Sequence, residues 1–185
     1  GSVGTEVPGV EIQIRDENGN ILEPHSTGEV CVRGPNIMKG YYNNVAGTRE
    51  AFWPGGWFRS GDVGVLDDNG YLFIVDRLKD MIISGGENVY SLEVEEVLYA
   101  HPDVQECAVI GTPDKEWGER VTAVILPKPG QTIDPKELKD FLKARLSAYK
   151  VPKRLLMVDD FPRSPAGKLL KRKLRESFLK GDDSV

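Results

Sequence analysis

Apolar and polar residues alternate through Val10-Glu11-Ile12-Gln13-Ile14-Arg15, the period of two that marks a strand with one buried face. Asp16 to Asn20 follows, and its Asn18-Gly19 step is a hairpin signal because both residue types accept positive φ. A second strand is predicted at Gly28–Arg33. Two more, Asp62–Leu66 and Tyr71–Val75, flank Asp67-Asp68-Asn69-Gly70, another Asn-Gly turn. Between these pairs lies a looser segment carrying Tyr41-Tyr42, Phe52-Trp53 and Trp57-Phe58. Short strands at this spacing predict a small β-barrel or sandwich.

Beyond residue 77 the period changes. Met81–Ser84 reads as a short strand that stops at Gly85-Gly86. Ser91 is placed to cap a helix through about residue 100, with Glu93 and Glu95 complementing its dipole and Val94, Val97 and Leu98 forming its apolar stripe. Strands are expected at Asp103–Ile110 and Val121–Leu126. A helix then begins with Asp134 as N-cap, Pro135 at its first position and Glu137 three residues on; Leu138, Phe141, Leu142 and Leu146 face its core. Leu155–Val158 is a further strand. A basic helix from Lys171 to Lys180 closes the chain, with Leu170, Leu174 and Phe178 on its buried side and Gly181–Val185 frayed. The order βαββαβα, with connections suited to antiparallel pairing, predicts a small α+β domain.

Composition adds a boundary. The 185 residues leave room for one ordinary domain or two small ones, and 39% hydrophobic with 29% charged residues excludes wholesale disorder. Residues 1–75 hold 5 basic and 10 acidic side chains, whereas residues 76–185 hold 19 of each, so the character changes near residue 76. No apolar run approaches the roughly 20 residues that span a bilayer, and no secretory signal opens the chain. Cys31 and Cys107 stand far apart in strand contexts, which reads as buried reduced thiols of a cytoplasmic protein, with a disulfide the alternative; neither has a Cys or His at metal-ligand spacing.

Single motifs leave their chemistry open. Asp62, after Gly61 at the expected start of a strand, could accept the hydroxyls of a ribose or merely cap backbone amides. Lys168 ends the Ser164-Pro165-Ala166-Gly167 loop, where its ammonium either reaches a phosphate or carboxylate or stays solvated. Trp117 sits in a loop between strands, as a packing residue or a contact. His25 and His101 lack a partner constellation, and there is neither a catalytic triad nor a metal cluster. The basic run from Lys168 to Arg175 has no interleaved aromatics in a chain of net charge −5, which argues against nucleic acid.

The ordered set is more specific than its parts. Gly28-Glu29-Val30-Cys31-Val32-Arg33-Gly34, Gly56-Trp57-Phe58-Arg59-Ser60-Gly61-Asp62, Asp76-Arg77-Leu78-Lys79-Asp80, Ser84-Gly85-Gly86-Glu87-Asn88 and Pro165-Ala166-Gly167-Lys168 resemble the later motifs of the AMP-forming acyl-CoA synthetases. These belong to the adenylate-forming superfamily, which also holds firefly luciferase and the peptide-synthetase adenylation domains. The family's phosphate loop and adenine motif do not occur in the chain. The resemblance therefore implies a C-terminal fragment of α+β class: a β-barrel-like subdomain of the large AMP-binding domain over residues 1–78, then a compact α+β lid domain over 79–185. Its partners would be the missing N-terminal AMP-binding domain and a carboxylic acid.

The resemblance implies two half-reactions, with ATP, Mg²⁺ and coenzyme A: adenylation of a carboxylate, then displacement of AMP by the thiol. Asp62 and Arg77 would bind the nucleotide, and Lys168 would be the catalytic lysine of the first step. Lys79 would be the hinge. Gly85, Gly86, Glu87 and Trp117 would line the coenzyme A path, with glycines where a slender pantetheine arm passes close to backbone. No residue is expected to bind a metal. Ile83 stands where luciferase-like members carry a lysine, so that lysine's second-step role does not transfer. The apolar Met81-Ile82-Ile83 version resembles fatty and aryl acyl-CoA synthetases more than peptide-synthetase domains. The fragment alone should be inactive; a non-catalytic lid used for binding or assembly is the alternative.

Overall fold

The structure, a computed structural model, describes residues 1–179. The expected last helical residue Lys180, the packing of Phe178 and the frayed end Gly181–Val185 lie outside that description. The chain divides into two units, Gly1–Lys79 and Asp80–Val185.

The first unit is a curled, half-barrel sheet of five strands. Strands β1 (Glu11–Arg15), β2 (Gly28–Arg33) and β4 (Trp57–Leu66) pair in antiparallel order. The short β3 (Phe52–Trp53) takes the first part of β4, and β5 (Leu72–Arg77) takes its second part. The aromatic segment also holds one short helix, α1 (Val45–Glu50), capped by Asn44. Ile14, Val30 and Leu72 form the small core.

Two expectations about this unit change. Asp62 does not start a strand. It lies inside the ten-residue β4, immediately after Gly61 at φ +73°, where β4 carries extra residues between its pairs Arg59–Cys31 and Val63–Glu29. That is a bulge, which bends the strand and re-aims the residues on it. The Asn-Gly turns also differ in type. In Asp16–Asn20 and Asp67–Tyr71 only the glycine takes positive φ; the asparagine does not. Asp16 Oδ1 accepts from the amides of Asn18 and Asn20, and Asp67 Oδ1 from those of Asn69 and Tyr71. The leading aspartate thus folds a type I turn, and the glycine closes it as a left-handed bulge residue.

The second unit is a three-layer α+β arrangement. After the 3₁₀ turn Leu78–Asp80, β6 (Ile82–Ser84) and β7 (Glu87–Val89) form a hairpin closed by Gly85 and Gly86, both at positive φ as a two-residue type I′ turn requires. Helix α2 (Ser91–Tyr99) follows, then the long antiparallel pair β8 (Val104–Asp114) and β9 (Gly118–Pro127). Helix α3 (Pro135–Lys143) starts as its sequence dictates, with Asp134 accepting from the Lys136 amide and Pro135 in the first turn. Strand β10 (Arg154–Met157) and helix α4 (Lys171–Leu179) complete the unit.

Alternation along β8 and β9 separates two cores. Cys107, Val109, Val121, Ala123 and Ile125 face α2 and α3, whereas Ala108, Ile110 and Val124 face Phe161 and Leu174 of α4. Three readings are corrected here. Strand β10 pairs with β9 in parallel, because α3 returns the chain to the end from which β9 began. Tyr90, not Ser91, is the N-cap residue; Ser91 is already helical and fully buried. Glu95 does not serve the dipole from solvent but is buried, facing β8. Strand β7 has no counterpart among the expected elements, since Glu87-Asn88-Val89 is too short to show a period.

Candidate functional site

In the first unit, register brings the two expected nucleotide residues together. Asp62 on β4 pairs across the sheet with Arg77 on β5, and Arg77 Nε lies 2.7 Å from Asp62 Oδ1. Ser60 Oγ accepts from the Asp62 amide at 3.0 Å, so the bulge and the ion pair fix the carboxylate from two sides. Beneath Arg77, Asp76 is buried and its Oδ1 accepts from the Arg77 amide at 2.7 Å. A cleft of about 350 Å³ is lined by Ser60, Gly61, Arg77, Leu78 and Lys79. Lys79 is exposed within the 3₁₀ turn at the end of this unit. A larger cleft, about 810 Å³, lies over Trp53 and Ile37 and holds none of the expected residues. Its Arg33 is already paired with Glu11 at 2.7 Å.

In the second unit, the Gly85-Gly86 turn and Trp117 meet. The Gly85 amide donates to the Trp117 carbonyl at 2.9 Å. The indole lies so close that a Cβ on Gly85 would stand 2.5 Å from Trp117 Cε3, whereas one on Gly86 would meet nothing. Glu87 is exposed at the start of β7. The loop holding Trp117 is set by Asp114, whose Oδ1 accepts from the amides of Glu116 and Trp117 while its Oδ2 pairs with Arg120. The Glu116 amide first, then those of Trp117 and the Arg120 guanidinium, hold the Asp114 carboxyl below its ordinary value.

Lys168 belongs to a turn of the same construction as the two aspartate turns. The Ser164 carbonyl accepts from the Gly167 amide at 2.8 Å, and the Ser164 amide donates to the Lys168 carbonyl at 2.8 Å. Ser164 Oγ accepts from the Lys168 amide at 3.1 Å, Gly167 has φ +80°, and Arg163 and Leu169 bridge below. Pro165 presets φ for the second position of a type I turn, and only glycine takes the fourth without strain. The lysine backbone is therefore pinned although its side chain is exposed. Among the described residues its ammonium has no carboxylate partner.

Several residues near these sites carried no assigned role. Lys153 places Nζ 3.0 Å from the centroid of the Trp117 ring. Glu119 accepts from the Ile83 amide at 2.8 Å, tying β9 to β6. Glu95 accepts from the Val109 amide and pairs with Lys171. Spacing gives no signal for these long-range pairs. His25 does have a partner, contrary to expectation: Nε2 lies 3.0 Å from Asp68 Oδ2 in an exposed pair. Its hydrogen bond to Asp68 raises the imidazole pKa. Burial pushes the thiol of Cys31 up to about 11 and that of Cys107 up to about 12. Among the described residues no cluster of three His, Cys, Asp or Glu side chains could hold a metal ion. No described helix is long and apolar enough to cross a membrane.

Comparison with known proteins gives two family matches. Residues 93–168 match the AMP-binding enzyme C-terminal domain, and residues 1–42 match AMP-binding enzyme. The oxalate–CoA ligase of Arabidopsis thaliana is 43% identical over 179 residues, which are 97% of this chain and 34% of that protein. A feruloyl-CoA synthase of an Amycolatopsis species is 47% identical over 178 residues, 96% of this chain and 36% of that protein. Among solved structures, ATP-bound MatB from Rhodopseudomonas palustris superposes with a TM-score of 0.92 at 40% identity, covering 99% of this chain and 37% of that one. The chain thus spans about a third of the length of the curated relatives it matches, in their C-terminal part.

Proposed function

This chain belongs to the AMP-binding enzyme family, and from that premise we propose that it is the C-terminal part of an AMP-forming carboxylate–CoA ligase. Residues 1–78 act as the last subdomain of the large nucleotide-binding domain and residues 79–185 as its lid, with Lys79 the pivot. The substrates are a carboxylic acid, ATP with Mg²⁺, and coenzyme A; the acid is a fatty or aryl acid, for which the feruloyl-CoA synthase likeness is the support. Two buried free thiols suit a reducing, cytoplasmic location.

Lys168 carries this reading, because a rigid turn presents an ammonium that no described carboxylate neutralises. In the first step the carboxylate oxygen attacks the α-phosphorus as pyrophosphate leaves. Negative charge builds on the phosphoryl oxygens and the bridging oxygen to the leaving group, and a fixed cation there stabilises the transition state more than the ground state. Asp62 accepts the ribose hydroxyls through the oxygen that Arg77 Nε leaves free. Arg77 orients that carboxylate and offers its terminal nitrogens to the same nucleotide. Mg²⁺ bound to the triphosphate would polarise its oxygens, and no residue of this chain is assigned to hold it. In the second step the Gly85-Gly86 turn, Glu87 and Trp117 flank the pantetheine arm; the indole covers Gly85, and the absent Cβ of Gly86 keeps the backbone approachable.

The test separates the half-reactions. In the full-length ligase, Lys168→Ala should slow pyrophosphate exchange by about 10²–10³ while thioester formation from supplied acyl-adenylate stays near the parent rate. Equal losses in both would overturn the assignment. The 185-residue chain by itself should show no exchange, and turnover by it alone would refute the proposal that it is an inactive part.

A further inference from the structure

The turn that carries Lys168 is anchored on both sides by charged contacts. Five residues before the lysine, both terminal nitrogens of Arg163 meet the Glu106 carboxylate on β8, and Arg163 Nη1 also donates to the Gly167 carbonyl at 3.3 Å. Three residues after it, Lys171 Nζ lies 2.7 Å from Glu95 Oε1 and donates to Ser91 Oγ at 2.8 Å. Glu95 and Ser91 are buried on α2. One helical turn further, Arg175 Nη2 lies 2.7 Å from Asp80 Oδ1, the residue that follows Lys79 in the chain. Apolar anchoring of this flank is thin: Leu174 is the one fully buried residue of α4 among those described.

Resting on the reading of Lys168 given above, we infer that Arg163 and Lys171 are positioning residues for it. Their charges face carboxylates of their own unit at bonding distance, so they are spent on the framework rather than offered to a substrate. Arg163 holds the turn from below and Lys171 fixes the chain leaving it, so the lysine tip inherits the rigidity of β8 and α2. Catalysis by a point charge depends steeply on placement, and a misplacement of about 1 Å can cost on the order of 10² in rate. Arg163, Lys171 and Arg175 are thus staples on either side of Lys168, whose own ammonium meets no carboxylate among the described residues.

The test uses Arg163→Met, Lys171→Met and the conservative Lys171→Arg in the full-length ligase. The two methionine variants should lower kcat for pyrophosphate exchange by about 10- to 100-fold with KM for ATP unchanged and thioester formation from supplied acyl-adenylate retained. Lys171→Arg should recover most of the loss. The Gly167 and Lys168 amides should exchange with solvent at least about tenfold faster in Arg163→Met, while the Ala123 amide keeps its protection. If Lys171→Met does not fold, Ser91→Ala supplies the second reading of that anchor, as Glu106→Gln does for the Arg163 anchor. Normal exchange activity in Arg163→Met beside a defective Lys168→Ala would overturn the positioning role and leave the Lys168 assignment standing. Normal activity in both would sink that assignment itself. Equal losses in both half-reactions, tracking a lowered melting temperature, would reduce Arg163 and Lys171 to a merely structural role.

Discussion

Gly85 and Gly86 are adjacent, both at positive φ, and yet should respond differently to alanine. Either substitution forces an L-residue into the left-handed region, which costs roughly 1–2 kcal/mol, and either restricts the unfolded chain equally. Those contributions cancel in the difference between the two variants. What remains is the neighbour. A Cβ on Gly85 would stand 2.5 and 2.8 Å from Trp117 Cε3 and Cζ3, so the indole must move; on Gly86 it enters open space. Moving the ring breaks its contact with the Lys153 ammonium, now 3.0 Å from the centroid, a contact worth about 0.5–1 kcal/mol at an exposed site. Lost dispersion against the ring adds a similar amount. Gly85→Ala should therefore destabilise the second unit by about 1–2 kcal/mol more than Gly86→Ala. Urea titrations read from the amide signals of β8 and β9 report that unit alone. A Trp117→Ala background should erase the difference, as a double-mutant cycle requires. Equal destabilisation by the two variants, within about 0.3 kcal/mol, would refute the reasoning. So would a difference that survives removal of the ring.

Two further outcomes follow from the electrostatics. With Cys31 raised to about 11 and Cys107 to about 12 by burial, a thiol reagent at pH 8 should label the folded chain at least about 100-fold more slowly than the chain in urea; rapid labelling of either thiol without unfolding would contradict their placement. The Asp114 carboxyl is held below its ordinary 3.8 by the Glu116 and Trp117 amides and Arg120. Its contribution to stability is thus present above 3.8 and lost as pH falls through its folded value. A carboxyl NMR titration should place its midpoint below 3.8, with the Trp117 amide shift moving in step, and a midpoint at or above 3.8 would count against the loop geometry.

The legible and illegible parts of this chain sort by the range of the interaction. Asp134-Pro135 starts a helix wherever it occurs, because its capping bond closes within two residues. The motif order from Gly28 to Lys168 pointed to the family whose C-terminal domain matches residues 93–168. The Asn-Gly steps mark both turns, although only Gly19 and Gly70, not the asparagines, take positive φ. The Asp two residues before each Asn competes for the turn amides, and that competition is itself local, so the signal was present in the string. Ser91 and Glu95 show the opposite case. Ser91 before an acidic turn reads as a cap, and Glu95 as a dipole partner. Lys171, 80 residues away from Ser91, instead takes both side chains into a buried cluster.

The sequence by itself determined where the chain turns, which faces are apolar and the family, since these depend on backbone sterics, side-chain period and motif order. Only tertiary structure decided that Arg77 meets Asp62, that Trp117 closes over Gly85 and that β10 runs parallel to β9. It also decided that Arg163 and Lys171 are spent on Glu106 and Glu95 while Lys168 meets no carboxylate among the described residues. Each of these joins segments far apart in the chain. Such a pairing is set by sheet register and by which buried charge must be neutralised, and neither quantity exists until the strands are assembled.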